Sequence, residues 1–292
     1  MKILLTGATG FLGSKLTKRL LKDGHNIFIL KRSFSDTSRI LTELKFIKSF
    51  DVDLTPLSDI FSKNDFDLVL HLATNYGRGG QSIYQMANDN ILFSINLLEE
   101  SINSGVPKFI NIDTLLKKNI SYYTLCKKQF VEWGNFVSKN QNINFINVKL
   151  EHLYGPGDDK NKFVYWIVDK MLKGEPEIKL TDGLQKRDFI FVDDAISALN
   201  ILINERELKY IDYEIGTGSP ISVKSFVLLL KSSLEQFTGE KVSSFFNFGA
   251  IPHRVKEQRV IKADISKLKE LGWGSEVQLN DGISRLIKEI IK

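Results

Sequence analysis

In the first half of the chain, near-continuous apolar runs alternate with stretches of helical spacing, and this alternation limits the fold more than any other feature. Lys2 to Leu5 is a short apolar run; glycines follow, then a helical pattern with Leu12, Leu16, Leu20 and Leu21 on one face. Further runs lie at Asn26–Leu30, Phe46–Phe50, Asp67–Ala73, Lys108–Ile112 and Asn144–Leu150, each separated by a segment of helical spacing. Strands that are apolar throughout need cover on both faces, which a parallel sheet with crossover helices supplies. The predicted fold is therefore α/β, a doubly wound parallel sheet over residues 1–155. After about Gly155 the pattern loses regularity. Shorter elements, aromatics expected to be exposed (Tyr154, Phe163, Tyr165, Trp166) and a late helix from Asp281 to Ile291 predict a small α/β lobe over 156–292, with segments returning to the sheet.

Composition narrows the class. A chain of 292 residues, 42% hydrophobic, has ample material for a core. The single Cys126 excludes an internal disulfide and predicts a reducing, cytoplasmic setting. The amino-terminal apolar run stops at glycine, too short for a secretory segment or for the ~20 residues of a membrane span. Forty Lys and Arg against 35 Asp and Glu give a net charge of +5, which suits an anionic ligand. The basic residues are scattered in short clusters (Lys117-Lys118, Lys127-Lys128) without interleaved aromatics, so neither nucleic acid nor membrane is expected as a partner.

The first run leads into Gly7-Ala8-Thr9-Gly10-Phe11-Leu12-Gly13 and then a helix. Gly7 permits the bend out of the strand, Gly10 lets a pyrophosphate approach the backbone, and Gly13 lets the helix pack closely, with its N-terminus facing the phosphates. This predicts a dinucleotide site of the Rossmann type. The second strand ends Lys31-Arg32-Ser33, where an NAD binder usually places a carboxylate for the ribose 2′-hydroxyl. Arg32 can instead hold a 2′-phosphate by charge-assisted hydrogen bonds, and Ser33 adds a hydroxyl; NADP(H) is the expected cofactor. Tyr123-Thr124-Leu125-Cys126-Lys127 places a phenol and an ammonium on one helix face, where the ammonium favours phenolate and suits Tyr123 to pass a proton. Tyr122 has Cys126 four residues on and lacks such a partner. Asp193 and Asp194 have no His or Cys at metal-ligand spacing and are expected to cap a helix; no metal is expected.

The turn written out as TGATGFLG resembles the extended short-chain dehydrogenase/reductase family, the nucleotide-sugar epimerases, dehydratases and reductases. The resemblance implies that Asp53-Leu54 meets the adenine, that Leu72, Ala73 and Thr74 lie beside the pyrophosphate, and that Asn90 belongs with the cofactor contacts. It places Thr114 at the catalytic Ser/Thr position and makes Lys127 a ligand of the nicotinamide ribose. Asp113 stands where the family usually has serine, and Thr124 where glycine is frequent after the tyrosine. Leu115 and Leu116 occupy the positions where 4,6-dehydratases carry Asp-Glu, so dehydration is not expected.

The segments Leu150–Asp158, Lys186–Asp194, Gly216–Gly218 and Leu271–Trp273 extend the resemblance over nearly the whole chain. More narrowly, HLATNYG, QKRDFIFVDD and FNFGAI are similar to reductases of CDP-linked 4-keto-3,6-dideoxyhexoses, whose products enter O-antigen polysaccharide. On that resemblance Asn75 and Tyr76 line a sugar pocket, Asn161, Lys162 and Phe163 receive the nucleotide, Arg254 or Arg259 pairs with its diphosphate, and Arg187 belongs with the substrate contacts. A homodimer through helices around Asn90–Ser101 and Tyr122–Ser138 is implied. Two other readings stay open, a 4-epimerase that keeps its NAD and a non-catalytic dinucleotide-binding regulator.

Overall fold

The apolar runs form strands β1 (Lys2–Thr6), β2 (Asn26–Lys31), β3 (Lys48–Asp51), β4 (Leu68–His71), β5 (Lys108–Thr114) and β6 (Asn144–Leu150). This is a computed structural model describing residues 1–150, 152–208, 211–253 and 257–292; Arg254 lies outside the described residues. Helix α1 (Phe11–Lys22) follows β1, α2 (Leu57–Phe61) precedes β4, α3 (Ile83–Ala87) and α4 (Phe93–Asn103) precede β5, and α5 (Tyr122–Asn140) joins β5 to β6. Beyond them come β7 (Leu153–Tyr154), α6 (Phe163–Leu172), β8 (Glu177–Leu180), β9 (Lys186–Arg187), β10 (Ile190–Phe191) and α7 (Val192–Asn204). The chain ends with β11 (Asp212–Ile215), β12 (Ile221–Ser222), α8 (Val223–Thr238), β13 (Phe245–Phe248), α9 (Ser266–Glu270) and α10 (Leu279–Ile290).

One sheet takes seven of these strands in the order β11-β6-β5-β4-β1-β2-β3. β1 pairs in parallel with both β2 and β4, as do β2 with β3 and β4 with β5. The strand order therefore reverses at β1 and β4, and in open α/β sheets ligands bind beyond the carboxyl ends of the strands at that reversal. Ile3, Leu4, Leu5, Val69, Leu70, Phe109 and Ile110 are fully buried, each contributing roughly 1.5–3 kcal/mol of transfer free energy. The doubly wound expectation holds. Helix α5 approaches the sheet through Gly134, where a Cβ would lie 2.2 Å from the Phe145 ring on β6.

Two compact units result, residues 1–149 with 199–213 and residues 150–198 with 214–292. In the first, the returning segment is tied by Lys108, whose ammonium donates to the carbonyls of Leu202, Ile203 and Glu205 at 3.0, 3.3 and 2.6 Å. Asn147 N–H donates to Ile211 O at 2.7 Å. Among its described residues the second unit contains three two-stranded pairings, β7 with β10, β9 with β12 and β8 with β13.

Several local expectations change. Leu44–Phe46 is a 3-10 turn rather than strand, with Phe46 67% exposed. β4 stops at His71 because the Thr6 hydroxyl accepts the next two N–H groups, of Leu72 and Ala73. Tyr154 and Tyr165 are buried, not exposed: the Tyr154 hydroxyl donates to Leu279 O at 3.4 Å and the Tyr165 hydroxyl to Glu289. Asp194 lies inside the first turn of α7, and its carboxylate accepts the N–H groups of Glu276 and Val277 at 3.1 Å each. It fastens that turn instead of capping a helix.

Asp188 has the same anchoring role on a larger scale. Buried, it accepts from Thr217 N (2.8 Å), Thr217 Oγ1 (2.6 Å), Gly218 N (2.9 Å) and Ala263 N (3.1 Å). Gly216 beside it has no space for a side chain, a Cβ there falling 2.7 Å from Asp188 Oδ2. Asp188→Ala leaves four donors without their acceptor and is expected to lower stability by about 3 kcal/mol or more, read as a lower urea midpoint, with Asp188→Asn losing less.

Candidate active site

The chain leaves β1 through Gly7, whose φ of 72° lies in the left-handed region. A Cβ at Gly7 would fall 2.8 Å from Ala73 N and 2.9 Å from Leu72 C, so the loops after β1 and β4 touch through backbone alone. A Cβ on Gly13 would sit 2.1 Å from Gly7 O, which brings the first turn of α1 down onto the bend. Gly10 is the N-cap of α1, without a side-chain cap and without an acidic residue in the first turn. The helix start keeps its partial positive charge. Thr9 and Leu12 are half-buried and Phe11 buried beside it. A bare cradle of this kind fits the pyrophosphate of a dinucleotide.

Below the cradle a chain of hydrogen bonds crosses the core. The Thr6 hydroxyl accepts from Leu72 N (3.1 Å) and Ala73 N (3.0 Å), and so gives its own proton to His71 Nδ1 at 2.9 Å. His71 Nε2 then donates to Ser94 Oγ (2.8 Å), which donates to Asn90 O (3.0 Å). Burial first, and the Lys127 charge second, hold the His71 pKa well below its ordinary value. His71 is a neutral strand residue. Asn90 lies in a π turn, Asn88–Leu92, and its amide brackets the Asn75 backbone, accepting from N at 2.8 Å and donating to O at 2.9 Å. The Asn75 side chain holds Asp89 and Gly77 N in turn. Thr74 is half-buried on the same loop.

At the end of β2 the three expected residues separate. Lys31 forms an ion pair with Asp51. Ser33 donates its N–H (2.7 Å) and its hydroxyl (2.5 Å) to the two oxygens of Asp53, which holds the exposed Asp53 carboxyl below its usual range. Arg32 places its guanidinium over the Phe34 ring at 4.8 Å and makes no ion pair among the described residues. Leu54 is 72% exposed.

Helix α5 opens with a capping box: Ser121 Oγ accepts from Thr124 N (3.2 Å), and Thr124 Oγ1 accepts from Ser121 N (3.0 Å). Thr124, the third helical residue, thus closes the capping box on Ser121 and fixes the helix start, which gives its presence in place of glycine a physical reason. Tyr123 is half-buried, and its ring meets Tyr76 at 5.0 Å between centroids; Arg78 lies over the Tyr76 ring at 5.0 Å. One turn on, the buried Lys127 donates to Ile112 O on β5 at 2.7 Å. Desolvation pushes its pKa down to about 8, opposed by Asp113 and assisted by Lys128. Thr114, at the end of β5, is buried and accepts from Leu116 N at 3.2 Å. The first unit therefore carries Thr114, Tyr123, Lys127 and all the cofactor candidates.

The expected nucleotide contacts on described residues lie in the second unit. Lys162 is the N-cap of α6 and pairs with Asp158 at 2.6 Å, while Phe163 stacks on Trp166 and Asn161 is exposed. Arg187 is buried, bonded to Glu257 Oε1 (2.6 Å) and to the carbonyls of Gln258 (2.8 Å) and Lys186 (2.9 Å). Arg259 is exposed and lies 3.7 Å from Asp182.

The sequence reading did not find Thr6, Asn111, Lys128 or Asn147, all of which shape this region. The available signal was polarity inside apolar strands: Asn111 and Asp113 on β5 and Asn147 on β6 are buried, and buried polar side chains need partners.

Residues 3–216 match the NAD dependent epimerase/dehydratase family. CDP-abequose synthase of Salmonella typhimurium is 33% identical, aligned over 99% of this chain and 98% of that protein. The enzyme of the same name from Salmonella muenchen is 32% identical over 98% and 97%. Among solved structures, UDP-glucuronic acid 4-epimerase from Bacillus cereus, in complex with UDP-glucuronic acid and NAD, has a TM-score of 0.83 at 26% identity, covering 100% of this chain and 99% of that one. UDP-glucose 4-epimerase of Thermotoga maritima, with UDP-glucose, has a TM-score of 0.84 at 25% identity over 100% and 99%. The glycine cradle at the sheet reversal, the Tyr-x-x-x-Lys helix and these similarities together make the chain a member of the NAD dependent epimerase/dehydratase family, the extended short-chain dehydrogenases/reductases that act on nucleotide sugars.

Proposed function

We propose that the protein reduces the C4 ketone of a CDP-linked 4-keto-3,6-dideoxyhexose with NADPH, as a cytoplasmic step of deoxysugar synthesis. The observation that carries this reading is the Thr114, Tyr123 and Lys127 set on β5 and α5, in a chain resembling CDP-abequose synthases over nearly its full length. NADPH, when bound, supplies the hydride. Tyr123 gives its phenolic proton to the carbonyl oxygen, so that ketone, hydride and proton become the alcohol. The Thr114 hydroxyl donates a hydrogen bond to the same oxygen, polarising it. The Lys127 ammonium stabilises the phenolate left behind. Leu115 and Leu116, following Thr114, have no proton to give or take, which argues against dehydration.

Preference for NADPH over NADH rests on Arg32, since Lys31 and the Ser33 hydroxyl are engaged by Asp51 and Asp53. Asn161, Lys162 and Phe163 are proposed contacts of the nucleotide, Arg254 or Arg259 of its diphosphate, and Arg187 a further proposed substrate contact. A homodimer through α4 and α5 is consistent with the exposure of Leu92, Trp133 and Phe136, at 55%, 52% and 67%. The competing reading, a 4-epimerase with retained NAD, draws on the solved epimerases with bound NAD. A purified chain that carries NAD and interconverts sugars without added reductant would establish it.

Three outcomes test the reductase. Tyr123→Phe is expected to lower kcat by about 10²–10⁴-fold with the Kd for NADPH little changed and Tyr122→Phe near the parent; undiminished turnover of CDP-4-keto sugar would exclude Tyr123 as the acid. Arg32→Ala should weaken NADPH about 10- to 100-fold and leave NADH nearly unaffected, as read by fluorescence titration. Lys127 is charged below about 8 and neutral above, so kcat/KM should fall on the alkaline side of that value, while His71 contributes no limb near neutrality.

A further inference from the structure

The end of β5 is tied to α5 by two adjacent lysines. Lys127 donates to Ile112 O at 2.7 Å, and Lys128 donates to Thr114 O and to Asp113 Oδ2. Asp113 is buried on β5, its side chain without exposure, while that of Lys128 is 20% exposed. From β6, Asn147 Nδ2 reaches Asp113 Oδ2 (3.2 Å) and Asp212 Oδ1 (2.8 Å), and its Oδ1 accepts from Asn111 Nδ2 at 2.9 Å. Three consecutive residues, Ile112, Asp113 and Thr114, are therefore held from the helix that carries Tyr123. A carboxylate withdrawn from water this far requires its ion pair and hydrogen bonds to be stable. Serine at position 113 has no charge to pair with Lys128.

We propose that Asp113, which touches neither substrate nor cofactor on the reductase reading above, is a positioning residue for that reaction: through Lys128 and Asn147 it fixes Thr114 against the helix of Tyr123 and Lys127. A ketone oxygen shared by a threonine hydroxyl and a phenol needs both donors within hydrogen-bond distance at once, and small displacements of one donor are costly in rate. The pair also sets the field at Lys127. Its facing titratable groups among the described residues are Asp113 on β5, Tyr123 and Lys128 on α5 and His71 on β4; Asp113 opposes the loss of its charge, and Lys128 promotes it. His71, held neutral, adds nothing to that balance.

Two substitutions with opposite electrostatic signs test this. Asp113→Asn keeps the shape and removes the negative charge; Lys128→Gln keeps Asp113 and removes the positive one. With NADPH affinity unchanged, both should lower kcat about 10-fold or more while KM for the sugar stays near the parent. The alkaline limb should move down by about one pH unit in Asp113→Asn and up in Lys128→Gln. A structural lesion would not move the limb in opposite directions. An unchanged kcat with only a lower Tm, or limbs shifting the same way, would overturn the proposal. If Asp113→Asn fails to fold, Lys128→Gln alone decides, by the direction of its shift. A 13Cε NMR titration of Lys127 in the resting protein gives the same two directions without turnover. If the parent reduces no CDP-4-keto sugar yet these directions appear, the reductase reading fails, while the control of the field at Lys127 by Asp113 and Lys128 stands.

Discussion

The loops that leave β1 and β4 press together so closely that even a methyl group at Gly7 would overlap the Leu72–Ala73 backbone. Much of the first unit follows from that contact. The Thr6 hydroxyl can take two N–H groups from the far loop because the loops are that near, and the proton it passes on fixes His71 as a neutral link to Ser94 and Asn90. A second close approach, Gly13 against the Gly7 carbonyl, lowers α1 onto the bend with its amino end bare. The absence of side chains at two glycines and of an acidic residue in one helical turn leaves a bare helix start that suits an anion.

The proposed reacting groups stand on a different support. Tyr123 and Lys127 are on a helix whose start is set by Ser121 and Thr124 and whose approach to the sheet is set by Gly134 under Phe145. Thr114 is on a strand. The elements are joined at that end by ammonium groups reaching backbone oxygens and a buried carboxylate, contacts that are directional where apolar packing is not. Hydrophobic burial makes the sheet and helix stable; on the proposed reaction, the charged bonds hold their register at the point where two hydroxyls would meet one atom.

Much of this was legible in the residues. Alternating apolar runs gave the parallel sheet because a strand buried on both faces has no polar face to show, and the glycine spacing gave the cradle because no other residue fits it. The Tyr123–Lys127 spacing follows from the helical period. What was not legible depended on long-range partners. Tyr154 and Tyr165 read as surface aromatics because nothing local announces Leu279 or Glu289, more than a hundred residues away. Asp194 read as a cap because the N–H donors to its carboxylate, Glu276 and Val277, lie more than eighty residues away. Lys31, Arg32 and Ser33 read as one basic site, whereas Asp51 and Asp53, twenty positions on, engage two of the three. Asn111, Asp113 and Asn147, polar within apolar strands, were a local signal of the network that the sequence reading did not take up, noting Asp113 only as a departure from serine.

The return of residues 199–213 to the first unit has a consequence for synthesis. Lys108 needs the carbonyls at the end of α7, and Asn147 the carbonyl of Ile211, before β5 and β6 have their full set of bonds. A ribosome that has delivered only the first 150 residues has therefore made a sheet with its outer edge open. Completion waits for some sixty more, so the nascent chain must shelter that edge from pairing with a neighbour.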